Sequence, residues 1–321
     1  MPDALLYAAP LEGMTTWLWR RVHQEVFGGA HRYFTPFLSP NANHSFQTRE
    51  LDEVRHNQDM AVIPQLLTNS SEHFLWAARE LWNMGYEEVN FNLGCPSGTV
   101  CGKGKGAGLL LRREQLQQLL DEVFAALPRG MRVSVKTRIG WETDDEWPDL
   151  LALYNRYPIS ELIVHPRVRK DFYRGRARQG ILEGTETAIP VVYNGDLFTP
   201  QSVESCLRDY PRLRGVMVGR GLMANPALLR QCQGGPAASR EELRRYHDAL
   251  YEAYCRRCSG DLPAIYKMRE LWNYLSGSFQ DTAGFLKKVR KARNRSEYLG
   301  AVEELFACHQ LNAQPLPPAG K

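Results

Sequence analysis

The chain has 321 residues, of which 43% are hydrophobic, 24% charged and 10% aromatic, a composition that supports a large apolar core. The longest apolar run near the start, residues 4–11, is too short to span a bilayer, and no basic segment precedes it as in a signal peptide. The seven cysteines are odd in number and irregularly spaced, which argues against a disulfide framework. We therefore expect a cytoplasmic protein that makes no membrane contact.

The net charge of +4 is concentrated at one end of the chain. Residues 236–321 hold 14 Lys and Arg against 10 Asp and Glu, so the first 235 residues are neutral overall. Within this last quarter, residues 287–295 (the basic run) read KKVRKARNR, with six basic residues in nine and no acid. Such a run is either a solvated helix face or a contact for a polyanion.

Short apolar or β-branched runs alternate with helical patterns through the first 235 residues. The predicted strands are residues 5–10, 33–39, 61–67, 88–94, 132–139, 161–166, 190–194 and 215–219. Strand followed by helix, eight times, is typical of a parallel sheet. Eight such units in this length favour a (β/α)8 TIM barrel, with an open doubly wound sheet as the alternative.

Helical spacing lies between most of these strands. Ser71 is the predicted N-cap of one helix, whose predicted buried face consists of Leu75, Ala78, Leu81 and Trp82. Another begins at Glu114, and its predicted buried face consists of Leu116, Leu119, Leu120 and Val123. Each face is a single apolar stripe, as expected for a helix that packs on a sheet.

The pattern changes after a linker rich in Gly and Pro at residues 234–239, because no strand-like run follows it. The predicted helices beyond the linker are residues 240–258, 264–275, 283–291 and 296–308. We expect residues 1–235 to form the barrel and residues 236–312 a smaller all-helical domain. Residues 313–321 are rich in Pro and are predicted to form a disordered tail.

Unusual polar residues lie at or near the carboxyl ends of seven of the eight predicted strands. In chain order they are Glu12, Gln65, Asn92 with Cys95, Lys136 with Arg138, His165 with Arg167, Asn194 with Asp196, and Arg220. The carboxyl ends of barrel strands meet at one face, where catalytic residues of such barrels lie. The sequence therefore predicts one active site at that face.

The loops after the last two strands predict a phosphate site. In barrels these loops commonly bind phosphate through backbone N–H groups. Gly195 and Gly219 permit close backbone approach, and Arg220 supplies positive charge. The alternative is a pair of turn glycines beside a surface arginine.

Cys95 is the predicted reactive group. It precedes the glycine-rich segment, residues 97–108, whose flexibility suits a lid. A thiolate nucleophile would require a neighbouring base, and none lies close in sequence, which favours a neutral thiol that acts as an acid. The alternative is a small buried side chain. Cys101 lies in the same segment and has no predicted role.

Two further patterns predict no site. Residues 102–107 match a dinucleotide-binding pattern, but they do not lie directly between a strand and a helix. Cys255 and Cys258 form half of a zinc pattern that lacks a second pair at metal spacing. We therefore expect no bound metal.

Taken together, these motifs resemble those of the tRNA-dihydrouridine synthase family, flavin enzymes that reduce uridine in folded RNA. The most specific is Asn92-Leu93-Gly94-Cys95-Pro96, followed by the glycine-rich segment. The supporting motifs are residues 9–13, 135–138, 164–165, 194–196 and 219–221, and the resemblance covers residues 5–300 in outline. It implies a barrel that carries FMN and a carboxyl-terminal helical domain that holds tRNA.

By motif position, the resemblance also implies individual roles. The residues expected to hold FMN are Pro10, Leu11, Glu12, Gln65, Lys136, His165, Asn194, Gly195, Asp196, Gly219 and Arg220, the last five at its phosphate. Asn92 is expected to hold the target uracil, and Cys95 to donate a proton. The other expected RNA contacts are Arg138, Arg167, Lys287, Arg290 and Lys291.

The implied reaction requires these residue types. The C5=C6 bond of uracil is conjugated to the C4 carbonyl, so a hydride from flavin N5 adds at C6 and a proton must reach C5 from the other face. A neutral thiol is a competent acid for that step. Lys136 would stabilise reduced, anionic flavin, and NADPH would reduce the flavin in a separate half-reaction. The target base must be extruded from the folded RNA.

Basic residues near the expected active-site face fit a polyanionic substrate. Besides the basic run they are Arg167, Arg169, Lys170, Arg174, Arg176, Arg178, Lys103 and Lys105. One alternative is a flavin barrel enzyme for a small pyrimidine, similar to dihydroorotate dehydrogenase, which needs no basic helical domain. Another is an RNA-binding barrel that has lost catalysis. A ribosomal RNA substrate also stays open. We expect a monomer, since no long apolar helix face is left over.

Overall fold

The computed structural model describes residues 4–57 and 59–315 and contains nine parallel strands. They are β1 (Leu5–Ala8), β2 (Arg32–Phe34), β3 (Val62–Ile63), β4 (Gln65–Leu66), β5 (Glu88–Leu93), β6 (Arg132–Arg138), β7 (Leu162–His165), β8 (Val191–Tyr193) and β9 (Gly215–Val218). Their order in the sheet is β3-β2-β1-β9-β8-β7-β6-β5-β4.

The third predicted strand is divided in two by Pro64. β3 pairs with β2 while β4 pairs with β5, so the two halves together close the ring. Proline has no N–H group to donate to a neighbouring strand, but the Pro64 carbonyl accepts a hydrogen bond from Asn90 N at 2.8 Å. With the halves counted as one, the sheet consists of the eight predicted units. The TIM-barrel prediction is confirmed, and the open sheet is excluded.

Helices connect the strands and continue beyond them. They are α1 (Trp17–Val26), α2 (Thr48–Arg55), α3 (Ser71–Asn83), α4 (Gly98–Cys101), α5 (Arg113–Ala126), α6 (Trp147–Tyr154), α7 (Pro200–Asp209), α8 (Arg220–Ala224), α9 (Leu228–Cys232), α10 (Arg240–Arg257), α11 (Asp261–Leu275), α12 (Ala283–Lys291) and α13 (Arg295–Cys308). None of those within the described ranges combines the length and apolarity that a bilayer crossing requires.

The predicted helix faces are right for α5 and partly wrong for α3. All four predicted residues of α5 are buried. The N-cap of α3 is Ser70 and not the predicted Ser71, because the Ser70 hydroxyl accepts a hydrogen bond from His73 N. Its buried stripe is Phe74, Ala77, Ala78 and Leu81, whereas the predicted Leu75 is half-buried and the predicted Trp82 is exposed. The apolar stripe is thus shifted by one position relative to the prediction at its start.

Residues 236–315 contain helices and, within the described chain, one isolated bridge between Phe279 and Leu311. α10 packs against α1, and α11 packs against α8. One continuous apolar cluster joins barrel residues such as Trp19 to helical residues such as Trp272. The helical carboxyl-terminal region agrees with the sequence, while the domain boundary at 235/236 stays a prediction. In the predicted tail, residues 316–321 lie outside the described residues.

Glu161 is a buried carboxyl beside the start of β7, at the base of the barrel. Tyr7 Oη donates a hydrogen bond to its Oε1 at 2.9 Å, while Oε2 has no hydrogen-bond partner in the described part of the chain. Burial raises the pKa of Glu161 from 4.5 to about 7, against the opposing effect of the Tyr7 hydrogen bond and of the Arg32 charge. The folded protein therefore holds a proton that the unfolded chain releases at lower pH.

This proton makes stability depend on pH. Because the folded state binds it more tightly, the free energy of unfolding should fall as pH rises from about 4.5 to about 7. Glu161→Gln keeps an acceptor for Tyr7 and removes the titration. At high pH we expect the variant to exceed the wild type by on the order of 2–3 kcal/mol. Urea unfolding on both sides of this range measures the effect.

The matched control is Glu204→Gln, which changes an exposed glutamate of α7. It should leave the pH dependence of unfolding as in the wild type. If Glu161→Gln and Glu204→Gln gave the same pH dependence, the assignment of the buried proton to Glu161 would be wrong.

Candidate active site

A cleft of about 520 Å³ opens at the carboxyl ends of the strands. Most of the residues predicted to hold the cofactor line it, namely Pro10, Leu11, Lys136, His165, Asn194, Gly195, Asp196, Gly219 and Arg220. Five strands, β1 and β6 to β9, thus contribute to one site. Glu12 and Gln65, which were also predicted, are not among its lining residues.

Two glycines allow the loops after β8 and β9 to pack closely. A Cβ atom on Gly221 would lie 2.0 Å from the Leu197 carbonyl oxygen, and one on Gly195 would lie 2.7 Å from Tyr193 Oη. No side chain fits at either position without a shift of the backbone or of Tyr193. The start of α8 therefore lies directly against the loop that follows β8.

The carboxylate of Asp196 is shared by two arginines. Its Oδ1 accepts a hydrogen bond from Arg220 Nη2 at 2.9 Å, and its Oδ2 accepts from Arg167 Nη2 at 2.5 Å and from Ala177 N at 3.1 Å. Asp196 has a φ of 27°, which is rare for a residue with a side chain. The contacts orient Arg220 at the cleft, so Asp196 acts on any anion there through this arginine.

His165 is a neutral imidazole in a cluster of cations. Burial lowers its pKa well below the usual value, and the charges of Arg138, Lys136, Arg167 and Arg220 lower it further. Arg167 Nη1 lies 3.0 Å from His165 Nε2. Because a guanidinium can only donate, Nε2 accepts and the imidazole proton lies on Nδ1. His165 thus offers the cleft an N–H donor without positive charge.

Lys136 is half-buried and presents its ammonium group to the cleft. Among the described residues, none forms a hydrogen bond or an ion pair with its Nζ atom. Burial lowers its pKa to about 8, and the neighbouring Arg138 charge contributes to the decrease. A cation that is partly withdrawn from water and has no counter-ion is costly, so an anionic or electron-rich ligand at this position would stabilise it.

Cys95 follows β5 and carries a protonated thiol. Burial raises the pKa of Cys95, while a backbone hydrogen bond and the charges of Arg138 and Lys136 lower it. The net direction is upward, which agrees with the neutral thiol that the sequence favoured. The same two cations are close enough to stabilise the thiolate once the proton has left.

The position of Cys95 is fixed by Asn92. Its Oδ1 accepts hydrogen bonds from Gly94 N at 3.1 Å and Cys95 N at 2.9 Å, and its Nδ2 donates to Gln65 Oε1 at 2.7 Å. Gln65 in turn donates to Asn90 Oδ1 at 2.7 Å. These side chains form a buried polar chain across β4 and β5. Within the described residues, the second N–H group of Asn92 Nδ2 has no hydrogen-bond partner.

The two arginines predicted as RNA contacts are buried. Arg138 donates to the carbonyl oxygens of Gly94, Val168 and Phe172 at 2.6–3.0 Å. Arg167 donates to Asp196, as described, and to the carbonyl oxygens of Arg174 and Gly175. Neither guanidinium is more than 1% exposed. The geometry therefore favours a positioning role, in which they hold the loop after β7.

Tyr173 and Phe198 line the cleft and were missed by the sequence analysis. The Tyr173 ring lies 5.5 Å from the Arg138 guanidinium and 5.0 Å from that of Arg220. Phe198 lies 5.7 Å from Arg220 on another side. Aromatic residues among basic ones, as in the sequence RKDFYRGR, are the signal that could have identified Tyr173.

Several of the predicted basic residues have internal partners. Arg178 pairs with Asp171 at 2.5 Å, and Lys170 pairs with Glu142 at 2.7 Å. Arg174 and Arg176 are exposed. In the basic run, Lys287, Arg290 and Lys291 are exposed on α12, opposite its buried residues Phe285 and Val289, whereas Lys288 pairs with Glu304.

A second, wider opening of about 1380 Å³ (the side groove) lies between the barrel mouth and helices α10 and α11. Glu12 lines this groove, together with Arg49, Arg257 and Lys267. Lys267 Nζ donates to the Gly13 carbonyl oxygen at 3.3 Å and so connects α11 to the loop after β1. The groove thus extends from the helical region to the carboxyl ends of the strands, where the cleft opens.

The shared carboxylate gives a stability prediction. Asp196→Asn removes the negative charge that compensates the buried Arg167 guanidinium. We expect the free energy of unfolding to fall by about 2–3 kcal/mol. The control, Asp209→Asn, removes an exposed carboxylate 3.1 Å from Arg208, and its effect should stay within about 0.5 kcal/mol. Urea denaturation measures both. Equal stability of the two variants would contradict the role of Asp196 as counter-ion.

The fold is similar to that of solved reductases. The structure of morphinone reductase in complex with tetrahydroNAD matches with a TM-score of 0.52, over 73% of this chain and 88% of that chain. The two sequences are 12% identical over the match. At this identity the similarity supports the barrel fold alone.

Relatives that are similar in sequence indicate the family of this chain. A probable tRNA-dihydrouridine synthase of Staphylococcus epidermidis is 28% identical over 268 residues, which cover 79% of this chain and 80% of the relative. A probable tRNA-dihydrouridine synthase 2 of Bacillus subtilis is 26% identical over 286 residues, which cover 84% and 85%. The family model for dihydrouridine synthase (Dus) matches residues 7–311. Since this match includes the strands of the barrel and helices α10 to α13, the chain belongs to the dihydrouridine synthase family.

Proposed function

We propose that the protein reduces specific uridines in tRNA to 5,6-dihydrouridine, with FMN as its cofactor and NADPH as its reductant. The observation that carries the proposal is the Lys136 ammonium, which has no partner among the described residues and lies in a cleft that adjoins the protonated thiol of Cys95. The family membership supplies the class of reaction. A cytoplasmic monomer, in which residues 236–312 act as the tRNA-binding domain, is part of the same proposal.

The residues of the cleft fit an anionic flavin nucleotide. Lys136 and the Nδ1–H group of His165 would face the electron-rich edge of the ring, and the loops of Gly195 and Gly219 with Arg220 would hold the phosphate. Asp196 would act indirectly, by orienting Arg220. Pro10 and Leu11 would supply apolar contact from the loop after β1.

When bound, the flavin supplies the hydride that is added to C6 of the uracil. The task of this chain is then to deliver a proton to C5, and the Cys95 thiol is the proposed donor. Burial keeps this thiol protonated at neutral pH, and the charges of Arg138 and Lys136 stabilise the thiolate that remains. Asn92 would hold both the thiol, through two backbone N–H groups, and the uracil, through its remaining N–H group.

RNA would reach the cleft along its open side. The aromatic ring of Tyr173, between two arginines, is a platform on which an extruded base can stack. The exposed Lys287, Arg290 and Lys291 would contact phosphates farther along the RNA. A small pyrimidine would need neither feature, so NADPH oxidation should require RNA and should not respond to free uracil.

Cys95→Ala tests the proton donor. The variant should bind FMN and tRNA as the wild type does, and NADPH should still reduce its flavin. Reoxidation of the reduced flavin by unmodified tRNA should slow by roughly 100- to 10,000-fold, because the acid is lost. Single-turnover flavin absorbance measures this step. Cys308→Ala, which changes an exposed cysteine of α13, is the control. An unimpaired Cys95→Ala enzyme would refute the assignment.

Arg220→Ala tests the phosphate site. A lost charge-assisted hydrogen bond is worth about 1.5–3 kcal/mol, so FMN affinity should fall by roughly 10- to 100-fold. The tRNA affinity of the flavin-loaded variant should stay nearly unchanged. FMN release into ultrafiltrates measures retention, with Arg208→Ala of α7 as the control. Equal losses of FMN and tRNA affinity would mean that the phosphate does not lie at Arg220.

The basic run is tested by its salt dependence. Each Lys or Arg that contacts a phosphate steepens the fall of log affinity with log salt by about 0.7–0.9. Replacing Lys287, Arg290 and Lys291 by Ala should therefore flatten the slope for tRNA by about two to three units. Flavin reduction by NADPH should be unchanged, because these residues lie on α12 and not in the cleft.

A control triple variant removes the same charge elsewhere. Arg129, Arg208 and Arg212 are exposed and lie at or near the ends of helices that lead into the amino ends of strands, on the opposite face of the barrel. Their replacement by Ala should leave the salt slope nearly unchanged. Wild-type tRNA binding by the α12 variant at every salt concentration would mean that the basic run is only a solvated face.

A further inference from the structure

Two histidines and a glutamate meet outside the cleft, where residues 39–47 (the rim loop, between β2 and α2) contact the start of α3. His44 Nε2 lies 3.2 Å from Glu72 Oε1, and the rings of His44 and His73 lie 5.9 Å apart, edge to face. One ligand atom from each of the three residues lies within 4.8 Å of the other two. The three side chains thus already converge on one point.

Both sides of this cluster are held in place by other contacts. The His44 ring stacks on Trp76 of α3, with the ring centroids 5.6 Å apart and the planes 13° from parallel. On the other side, the Ser70 hydroxyl accepts a hydrogen bond from His73 N and fixes the first turn of α3. Ligand atoms that are positioned before a metal binds lose less entropy on binding.

The donor set is chemically selective. Two imidazole nitrogens and one carboxylate oxygen suit Zn²⁺, whereas Mg²⁺ and Ca²⁺ prefer oxygen ligands alone. Zinc bonds of roughly 2.0–2.2 Å require the three ligand atoms to move somewhat closer together. His44 and Glu72 are exposed and His73 is half-buried, so side-chain rotation can achieve this. Water can complete a tetrahedron.

From this geometry we propose that His44, Glu72 and His73 bind a zinc ion on the rim of the barrel, separate from the cleft. No sequence motif indicates this site, because the ligands are divided between two distant segments and no cysteine is involved. The expectation of no metal rested on cysteine spacing alone. The site does not depend on the proposed reaction.

The ion would fasten the rim loop to a segment that contacts the Cys95 region. Asn69, which precedes α3, donates to the Lys103 carbonyl oxygen at 2.9 Å in the glycine-rich segment. At the ends of the rim loop, Ser39 and Gln47 line the side groove. A zinc ion at His44 therefore joins the wall of the side groove to the support of the glycine-rich segment.

Zinc titration of the purified full-length protein tests the proposal. After removal of metals by EDTA, isothermal titration with ZnCl₂ should give one site with a dissociation constant in the micromolar range. His44 has a left-handed backbone conformation (φ 48°), which asparagine also tolerates. His44→Asn therefore removes the imidazole ligand without straining the rim loop. We expect it, and His73→Gln, to weaken zinc binding by at least about 10-fold. His56→Gln, at another exposed histidine, should bind as the wild type does.

Co²⁺ absorption provides a second measurement. Replacement of zinc by Co²⁺ should give visible bands without a thiolate charge-transfer band, since the proposed ligands are nitrogen and oxygen. The proposal is overturned if the wild type binds no stoichiometric zinc, if His44→Asn binds zinc as tightly as the wild type, or if the Co²⁺ spectrum shows thiolate coordination. Far-ultraviolet circular dichroism of each variant establishes that binding is compared between folded proteins.

Discussion

Buried positive charge at one end of the barrel is the constraint on which the site depends. Lys136, Arg138, Arg167 and Arg220 surround His165 closely enough to lower its pKa, and Asp196 accepts hydrogen bonds from two of them. Like charges in a region that excludes water repel strongly. An anion in the cleft relieves this repulsion, so the charge arrangement favours an anionic ligand. The same repulsion keeps His165 neutral and so makes it a donor without charge.

The thiol depends on a different interaction, the buried polar chain that ends at Asn92. Cys95 precedes a segment rich in glycine, which by itself would leave the thiol mobile. The two backbone N–H groups held by Asn92 connect it to β5, and the Asn92–Gln65 hydrogen bond extends this support to β4. The segment itself packs back on this loop, because Ala107 N and Cys101 Sγ donate hydrogen bonds to the Cys95 carbonyl oxygen at 3.1 and 3.3 Å. The position of Cys95 is thus supported from both sides.

The helical region is joined to the barrel by a continuous apolar core, which fixes α10 and α11 against α1 and α8. α12 packs into the same core through Phe285 and Val289, and Arg269 of α11 donates hydrogen bonds to the carbonyl oxygens of Val289 and Ala292 at its end. These contacts hold the exposed cations of α12 at a set orientation relative to the cleft. The exposed cations of α12 and the basic residues of the cleft are therefore parts of one packed unit.

The sequence by itself determined the eight-unit barrel, the helical end and most of the cleft residues, because strand periodicity and strand-end polarity are local properties of the chain. It did not determine that Pro64 divides a strand, that Arg138 and Arg167 are buried, or that Tyr173 lies between two guanidiniums. Those facts depend on which loops meet across the barrel mouth. His44 and His73 likewise become neighbours only when the rim loop folds onto α3. Tertiary structure decided them because burial and ion pairing arise from contacts between distant segments, whose distances no local pattern records.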